Sequence, residues 1–515
     1  MNRTNAFIVP QKKDKILVWI GAEFVHYFLT HSLQKKLDAE YYAIIDITNK
    51  PKKFFEEQKF VDFKKVWFYH DEIRIKDHEQ VDLDYLKRFE EMYDINLWKL
   101  AINERIFYRF YNFYKFTGEE ILKIEEKSAK FFEKILRDIE PNFFLTKVPS
   151  FHHLELLKEM CKRSNCKTLM LSPPKIGYRV LLSEDATVFD YTKNLDDVKG
   201  SGRNFDEMRE YLDSHSGYLQ LKNYYEKSSK KNLNSELSVL FNYLFSSNHN
   251  IHTNYNYFGR TKMKVLKSIL DSKIKKNSRE RFMNKKLLKQ IDLKKPFIYF
   301  AMSTDLERYL LIDSPFYTNQ IEVIRHVAKS IPINYLLYIK ENPSNVTRDW
   351  RSVEEYNDLL KIPNVRLLHP TFSNKELLSN CSLVVSIAGS SGLEAAFFEK
   401  PSIVFGNVLY SILPSVHKVN NLEDLPKMIR KSVNEKVNQV DLDKFLTVLD
   451  KNTFDFDMTE FTGNIAEKFY FNETTVDVDI KNDDVDKFLN ENQDVLEIIC
   501  NEHIKKILQH KEILK

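Results

Sequence analysis

Residues 381–406, CSLVVSIAGSSGLEAAFFEKPSIVFG, decide the fold. An apolar run, Leu383 to Ala388, meets the turn Gly389-Ser390-Ser391-Gly392, passes into a short apolar helix and stops at Lys400-Pro401 before a second apolar run, Ser402 to Phe405. Strand, turn, helix and strand in that order make a βαβ unit, the building block of a parallel sheet. Ser391 and Glu394 have the S-x-x-E spacing of a capping box, which predicts an N-cap at Ser391. Glycine is scarce at eleven residues, and Gly389, Gly392 and Gly406 all fall in or beside this unit. Glycines allow close backbone approach and unusual dihedrals, and unpaired amides at a helix start attract anions. The same turn caps a helix equally well with no ligand, so structure and phosphate binding both stay open on this segment alone.

Outward from this unit the pattern is regular. Pro296 to Met302 (PFIYFAM) predicts a strand, Thr318 to Ile331 a helix with Ile321, Ile324, Val327, Ala328 and Ile331 at helical spacing, and Asn334 to Lys340 a strand running into Lys340-Glu-Asn-Pro343. Asn364 to Leu368 and Ser415 to Val419 read as strands, Asn374 to Cys381 and Leu422 to Val433 as helices. Such alternation implies a doubly wound parallel sheet, whose ligand lies beyond the carboxyl ends of the strands. Two loops then share one rim: Lys340 to Pro343 and Gly389 to Gly392.

The N-terminal part starts another sheet, with strands at Lys15 to Ile20, Tyr41 to Ile47 and Val66 to Tyr69, and a helix from Ala22 to Leu37. Gly21-Ala22-Glu23 lacks the glycine fingerprint of a dinucleotide site. Asp82 to Ile139 reads as a long helical stretch whose aromatics (Phe107, Tyr108, Phe110, Tyr111, Phe113, Tyr114) suit helix packing. His152 and His153 are adjacent and should diverge on a helix, which argues against metal. Residues 201–295 are rich in Lys, Asn and Ser and include the basic run Lys273 to Arg281; this is a solvated helical linker or an electropositive face toward an anionic lipid-linked partner or membrane surface. Residues 434–515 read as a polar tail with an acidic patch, Asp477 to Asp486, and a terminal helix, Val485 to Leu514; whether part of it crosses back to brace the first domain stays open.

Composition bounds the rest. The 515 residues suffice for two or three domains, and a formal net charge of +4 does not suggest a nucleic-acid binder. Cys161, Cys166, Cys381 and Cys500 show no paired metal-ligand spacing and suit a reducing cytoplasm. The first residues lack the apolar core of a signal peptide, and no run reaches membrane-spanning length without charge, so a soluble intracellular protein is expected.

The run from Pro296 to Val419 resembles the C-terminal half of capsule polysaccharide biosynthesis proteins, the family that includes the Kdo transferases of capsule assembly. The pieces that carry the likeness are IYFAMSTDLERY, Phe316 to Gln320, LLYIKENP, IPNVRLLHP and the opening stretch itself. The resemblance implies an α/β protein of two Rossmann-like domains in the GT-B arrangement: an acceptor-side domain over 1–200, a helical basic linker over 201–295, a donor-binding domain over 296–433 and the helical tail over 434–515. It implies a cytoplasmic glycosyltransferase, at the inner face of the membrane if its acceptor is lipid-linked. A nucleotide sugar would be its donor substrate and a glycan or lipid-linked molecule its acceptor, with no metal or other cofactor and no nucleic acid.

In similar enzymes the histidine of a K-E-H-P motif and a serine-rich turn contact the donor phosphate. These fall here on Lys340, Glu341, Asn342 and Pro343, and on Gly389, Ser390, Ser391 and Gly392. Asn342 replaces the histidine, so an amide's neutral hydrogen bond stands where an imidazolium would bring charge, and Lys340 is left to supply it. A second departure is Met302-Ser303, where many relatives carry a histidine.

Leaving-phosphate stabilisation is assigned to Lys340, Ser390, Ser391 and the backbone at Gly392, with Asn342, Pro343, His369, Gly389 and Glu394 lining the donor site. Glu394 has a second reading as the capping-box residue, and Arg308 and Arg325 are further candidate phosphate partners. Acceptor deprotonation needs a base across the cleft, and Glu23, Asp305 and Glu307 are the candidates, each of which also reads as a surface or capping carboxylate. Three other functions stay open: a fold relative that binds sugar nucleotide or glycan without turnover, a CDP-glycerol-type glycerophosphotransferase, and a nucleotide-sugar epimerase.

Overall fold

The computed structural model describes residues 13–74, 80–192, 194–217, 220, 249–342, 351–470 and 477–513. Among them two sheets form. The first holds β1 (Asp14–Gly21), β2 (Ala39–Asp46), β3 (Phe63–Phe68), β4 (Phe143–Lys147), β5 (Lys167–Ser172), β6 (Arg179–Ser183) and β13 (Thr453–Asp455), in the order β13-β6-β5-β4-β1-β2-β3. Its pairs are parallel from β5 through β3 and antiparallel at β5/β6 and β6/β13. The second holds β7 (Phe297–Ala301), β8 (Leu336–Lys340), β9 (Val365–Leu368), β10 (Leu383–Ser386), β11 (Ser402–Val404) and β12 (Val416–Lys418), in the order β12-β11-β10-β7-β8-β9. Every one of its pairs is parallel. This is the two-Rossmann α/β architecture expected.

The strand sequences explain the layers. All five residues of β7 and all four of β10 are buried, as a parallel sheet covered by helices on both faces requires. The amphipathic helix Gln320–Ser330 closes one face with Ile321, Val323, Ile324 and Val327. Helix Gly118–Ile139 does the same for the first sheet, and its start is secured by a capping box between Thr117 and Glu120.

Two expectations are altered, and the open question of the tail is answered. Asp82 to Ile139 is not one helix: Leu83–Tyr93 and Leu97–Asn103 are followed by a π-helical turn, Arg105–Arg109, before Gly118–Ile139 begins. Of the aromatic stripe only Phe107 is buried, and Tyr108 is 74% exposed. The polar tail is part of the fold: β13 extends the first sheet, and Phe461, Phe469, Phe488 and Ile499 from three later helices join Phe24 and Phe28 in one core. The basic linker is also engaged, because Met283 and Leu287 at the end of helix Lys262–Lys286 enter the second core.

The carboxyl ends of the two sheets' parallel strands face each other. Arg308, in the segment after β7, donates to the Pro149 carbonyl after β4 at 2.7 Å, and Asn103 and Arg109 reach the Pro315 and Thr318 carbonyls. Arg308 is buried and also pairs with Asp313 at 2.7 Å, so it joins the domains instead of standing free for phosphate.

Candidate functional site

β8 and β10 both flank β7, so the loops after Lys340 and Ser386 come to the same rim. Ser390 has helical dihedrals and takes the N-cap position of the short helix Ser391–Phe397. The capping box predicted from Ser391 does not form; Ser390 Oγ instead donates to Glu394 Oε1 at 2.8 Å. Burial raises the Glu394 carboxyl above its ordinary range, with Ser390 and Lys340 opposing. Gly389 and Gly392 do not have positive φ. Gly392 is there for packing, since a Cβ would stand 2.5 Å from Tyr410 Oη, whose hydroxyl donates to the Gly389 carbonyl at 2.6 Å. At Gly389 a Cβ would make only ordinary contacts with Ser386 and Ser303.

Lys340 ends β8 and is 5% exposed. Its ammonium donates to the Phe372 carbonyl at 2.7 Å and to Asn374 Oδ1, which also accepts from Tyr299 Oη at 3.3 Å. Burial lowers Lys340 to about 8, with Glu394 opposing. Lys340 is thus linked through Asn374 to Tyr299, which bonds to Ser391 of the serine turn, while the charge of Lys340 acts on Glu394, and two of the three ammonium protons are engaged within the protein. Sequence reasoning missed Asn374 and Tyr299, which sit at a helix start and inside a strand and carry no motif.

The other predicted residues divide. Asn342 lies beside Glu341, its backbone N–H donating to Glu341 Oε1 at 2.9 Å, and Pro343 lies outside the described residues. His369 accepts in a local turn with Thr371, 2.6 Å away, after edge strand β9. Asp305 is 1% exposed and accepts from Arg351 at 3.0 Å and Gln320 at 2.6 Å; Arg351 also donates to Glu341 at 2.7 Å. Asp305 and Glu341 therefore brace the loop from beneath and present no free carboxylate to an acceptor. Glu307 is exposed at the start of helix Arg308–Leu311. Glu23 follows β1 and forms an ion pair with Lys147 at the end of β4.

Glu23 and Lys147 lie at a cavity of about 230 Å³ on the opposing rim, at the carboxyl ends of β1 to β4. Asp46, the last residue of β2, lines it and accepts from His70 Nε2 at 3.0 Å and His153 Nε2 at 3.2 Å. The two imidazoles hold the Asp46 carboxyl far below its ordinary range, outweighing the effect of burial, which is the largest single influence. His152 and His153 converge, contrary to expectation: Tyr255 Oη lies 3.0 Å from His152 Nε2 and 2.9 Å from His153 Nδ1. Behind them His152 Nδ1 pairs with Glu125 at 2.7 Å. Tyr255 comes from the stretch read as linker, which reaches the rim because Asn254 donates to the Ile47 carbonyl and Asn250 accepts from the Asn49 amide. Among the described residues no group of three or more His, Cys, Asp or Glu is arranged to hold a metal ion.

A family model described as capsule polysaccharide biosynthesis protein matches residues 223–449. No curated protein matches the chain. Among solved structures, the UDP-GlcNAc 2-epimerase of Methanocaldococcus jannaschii aligns at 12% identity and TM-score 0.23, covering 85% of this chain and 99% of its own. The beta Kdo 2,7 transferase KpsC of Thermosulfurimonas dismutans aligns at 12% and 0.29, covering 61% and 79%. The N-terminal domain of trehalose-6-phosphate phosphatase from Candida albicans aligns at 12% and 0.31, covering 89% and 97%. Superpositions at these scores carry no argument, and the fold rests on the strand order above. Over residues 223–449, which include both loops of the second rim, the family model bears out the chain's resemblance to capsule polysaccharide biosynthesis proteins.

Proposed function

We propose that the protein is a glycosyltransferase of capsule-type polysaccharide synthesis, moving a sugar from a nucleotide sugar to a glycan or lipid-linked acceptor. The observation that carries this reading is the confrontation of two rims: the family-matched loops of the second sheet on one side, and a polar cavity ringed by strand ends of the first on the other. Ser390, Ser391 and the remaining ammonium proton of Lys340 would hold the donor phosphate, where charge grows as the sugar departs.

A membrane-facing acceptor is supported by helix Lys262–Lys286. It carries ten Lys or Arg residues against Asp271 and Glu280, and Met263, Leu270 and Ile274, 76%, 63% and 68% exposed, lie seven and four residues apart on one stripe. Its basic charge and these three exposed apolar side chains are what an anionic lipid surface would hold, although over its whole length the helix is only weakly amphipathic. Among the described residues no helix is long and apolar enough to cross a membrane.

One observation favours a second reading, binding without turnover: Asn342 stands in the histidine position and Lys340 is already engaged by Phe372 and Asn374. A panel of CMP-, UDP- and GDP-sugars, read by thermal shift and by release of free nucleotide, separates the two. Release by wild type that is lost in Ser390→Ala with Ser391→Ala supports the transferase; a shift without release from any donor, with glycan acceptors added, supports the binding protein.

A further inference from the structure

The cavity on the first rim contains more chemistry than packing requires. Asp46 accepts one imidazole N–H on each carboxylate oxygen, which places the proton of His70 on Nε2 and leaves Nδ1 as a bare lone pair. That Nδ1 is buried and, among the described residues, has no hydrogen-bond partner; the same is true of His26 Nε2, Asn256 Oδ1 and Tyr470 Oη, on other residues lining the cavity. Buried polar atoms are almost always satisfied, so four on residues around one cavity point to a hydroxylated guest. Trp19 and Tyr257 add aromatic faces of the kind that pack against sugar rings.

The second histidine is committed elsewhere. His153 Nδ1 faces the Tyr255 hydroxyl, so a single hydrogen-bonded chain runs from Asp46 through His153 and Tyr255 to His152, whose Nδ1 faces Glu125 at 2.7 Å. His152 Nδ1 and His26 Nε2 also lack a hydrogen bond, but His152 faces Glu125 and does not line the cavity, and burial lowers His26 to about 3, so His70, held by Asp46, is the cavity imidazole suited to take a proton.

We propose that this cavity receives the terminal sugar of the acceptor, with His70 Nδ1 taking the proton of the attacking hydroxyl and Asp46 positioning His70. The inference rests on the transferase reading and names its acceptor site. In the step, the acceptor oxygen forms the new bond to the anomeric carbon of the donor. The bond from that carbon to phosphate oxygen breaks, its electron pair leaves with the phosphate, and the hydroxyl proton passes to His70, whose charge the Asp46 carboxylate offsets.

The test uses the full chain with whichever nucleotide sugar the panel identifies. His70→Gln and Asp46→Asn are expected to lower kcat for transfer about 10²- to 10⁴-fold, with the donor-induced thermal shift kept at its wild-type size. His70→Ala should recover part of its transfer rate when imidazole is added, which a merely structural histidine would not. Folded variants that transfer at the wild-type rate would overturn the proposal and make the cluster a structural ion network.

A binding measurement keeps the test independent of turnover and of variant folding. Methyl glycosides titrated into wild type should quench the fluorescence of Trp19 saturably, and Trp19→Phe should lose that signal. Absence of quenching overturns the acceptor site even if donor release is observed. Saturable quenching in a protein that binds no nucleotide sugar supports the sugar site and refutes the transferase reading alone.

Discussion

Replacing Lys340 by Met should separate stability from function. The side chain is 5% exposed and burial brings it from 10.5 to about 8. Holding its charge at neutral pH therefore costs the fold about 3 kcal/mol, at 1.36 kcal/mol per pH unit. Methionine removes that cost but also the bonds to Phe372 and Asn374, each worth about 1.5–3 kcal/mol when the donor is charged. These terms oppose, so Lys340→Met should move Tm by only a few degrees.

Donor affinity should respond differently. One lost charge-assisted bond to phosphate weakens binding roughly 10- to 100-fold. The sign of the pH effects follows from the direction of the shift. The folded-state pKa lies below the unfolded one, so between about 8 and 10.5 the folded protein holds fewer protons, and stability rises with pH through that window. Donor affinity runs the other way, constant below about 8 and falling above it as the ammonium is lost. Titration calorimetry with the nucleotide sugar at pH 7 and 9.5, alongside thermal unfolding, reads both trends, and Lys340→Met should abolish both. Unchanged affinity in the variant, or affinity independent of pH in wild type, would refute the role given to Lys340.

Gly392→Ala places a methyl against Tyr410 and should cost about 1–3 kcal/mol by overpacking; thermal unfolding with and without Tyr410→Phe, which removes the hydroxyl, should show the loss in the first case and relief in the second. Arg351→Met strands two buried carboxylates, Asp305 and Glu341, and should cost about 3–5 kcal/mol, seen as faster hydrogen exchange in β7 and β8 and restored by Asp305→Asn with Glu341→Gln. Serine at Met263, Leu270 and Ile274 together should reduce sedimentation with phosphatidylglycerol vesicles while leaving Tm near wild type, since all three are exposed.

The second sheet was legible because all its strands are parallel and all but edge strand β12 are largely buried, and therefore written as short apolar runs between helices. The elements expected there differ only at their ends, as with Gln320–Ser330 for the helix expected over Thr318 to Ile331, while helix Val353–Leu360 was not expected at all. The Lys340 and Ser390 loops were legible for the same reason, since strand order puts them on one rim. What local pattern could not reveal is who occupies each side chain. Arg351 lies ten residues beyond Glu341 and forty-six beyond Asp305, yet braces both. Asp46 looked like an ordinary strand end, and Tyr255 belonged to a stretch read as linker, because contacts across a hundred residues or more leave no period in the sequence. A return of the tail to the first domain stayed open in the sequence, and its strand β13 could not be placed, being three residues long and far from its partner β6.

The central claim is that donor and acceptor meet between two facing rims. Its most direct test is the location of a bound nucleotide sugar in a crystal of the complex. The account predicts phosphate oxygens within hydrogen-bond reach of Ser390, Ser391 and Lys340, with the sugar directed toward the Asp46 cavity. Nucleotide seated instead in the larger cavity of about 550 Å³ lined by Lys158, Glu184, Asp190 and Leu409, where neither rim loop contributes, would contradict it.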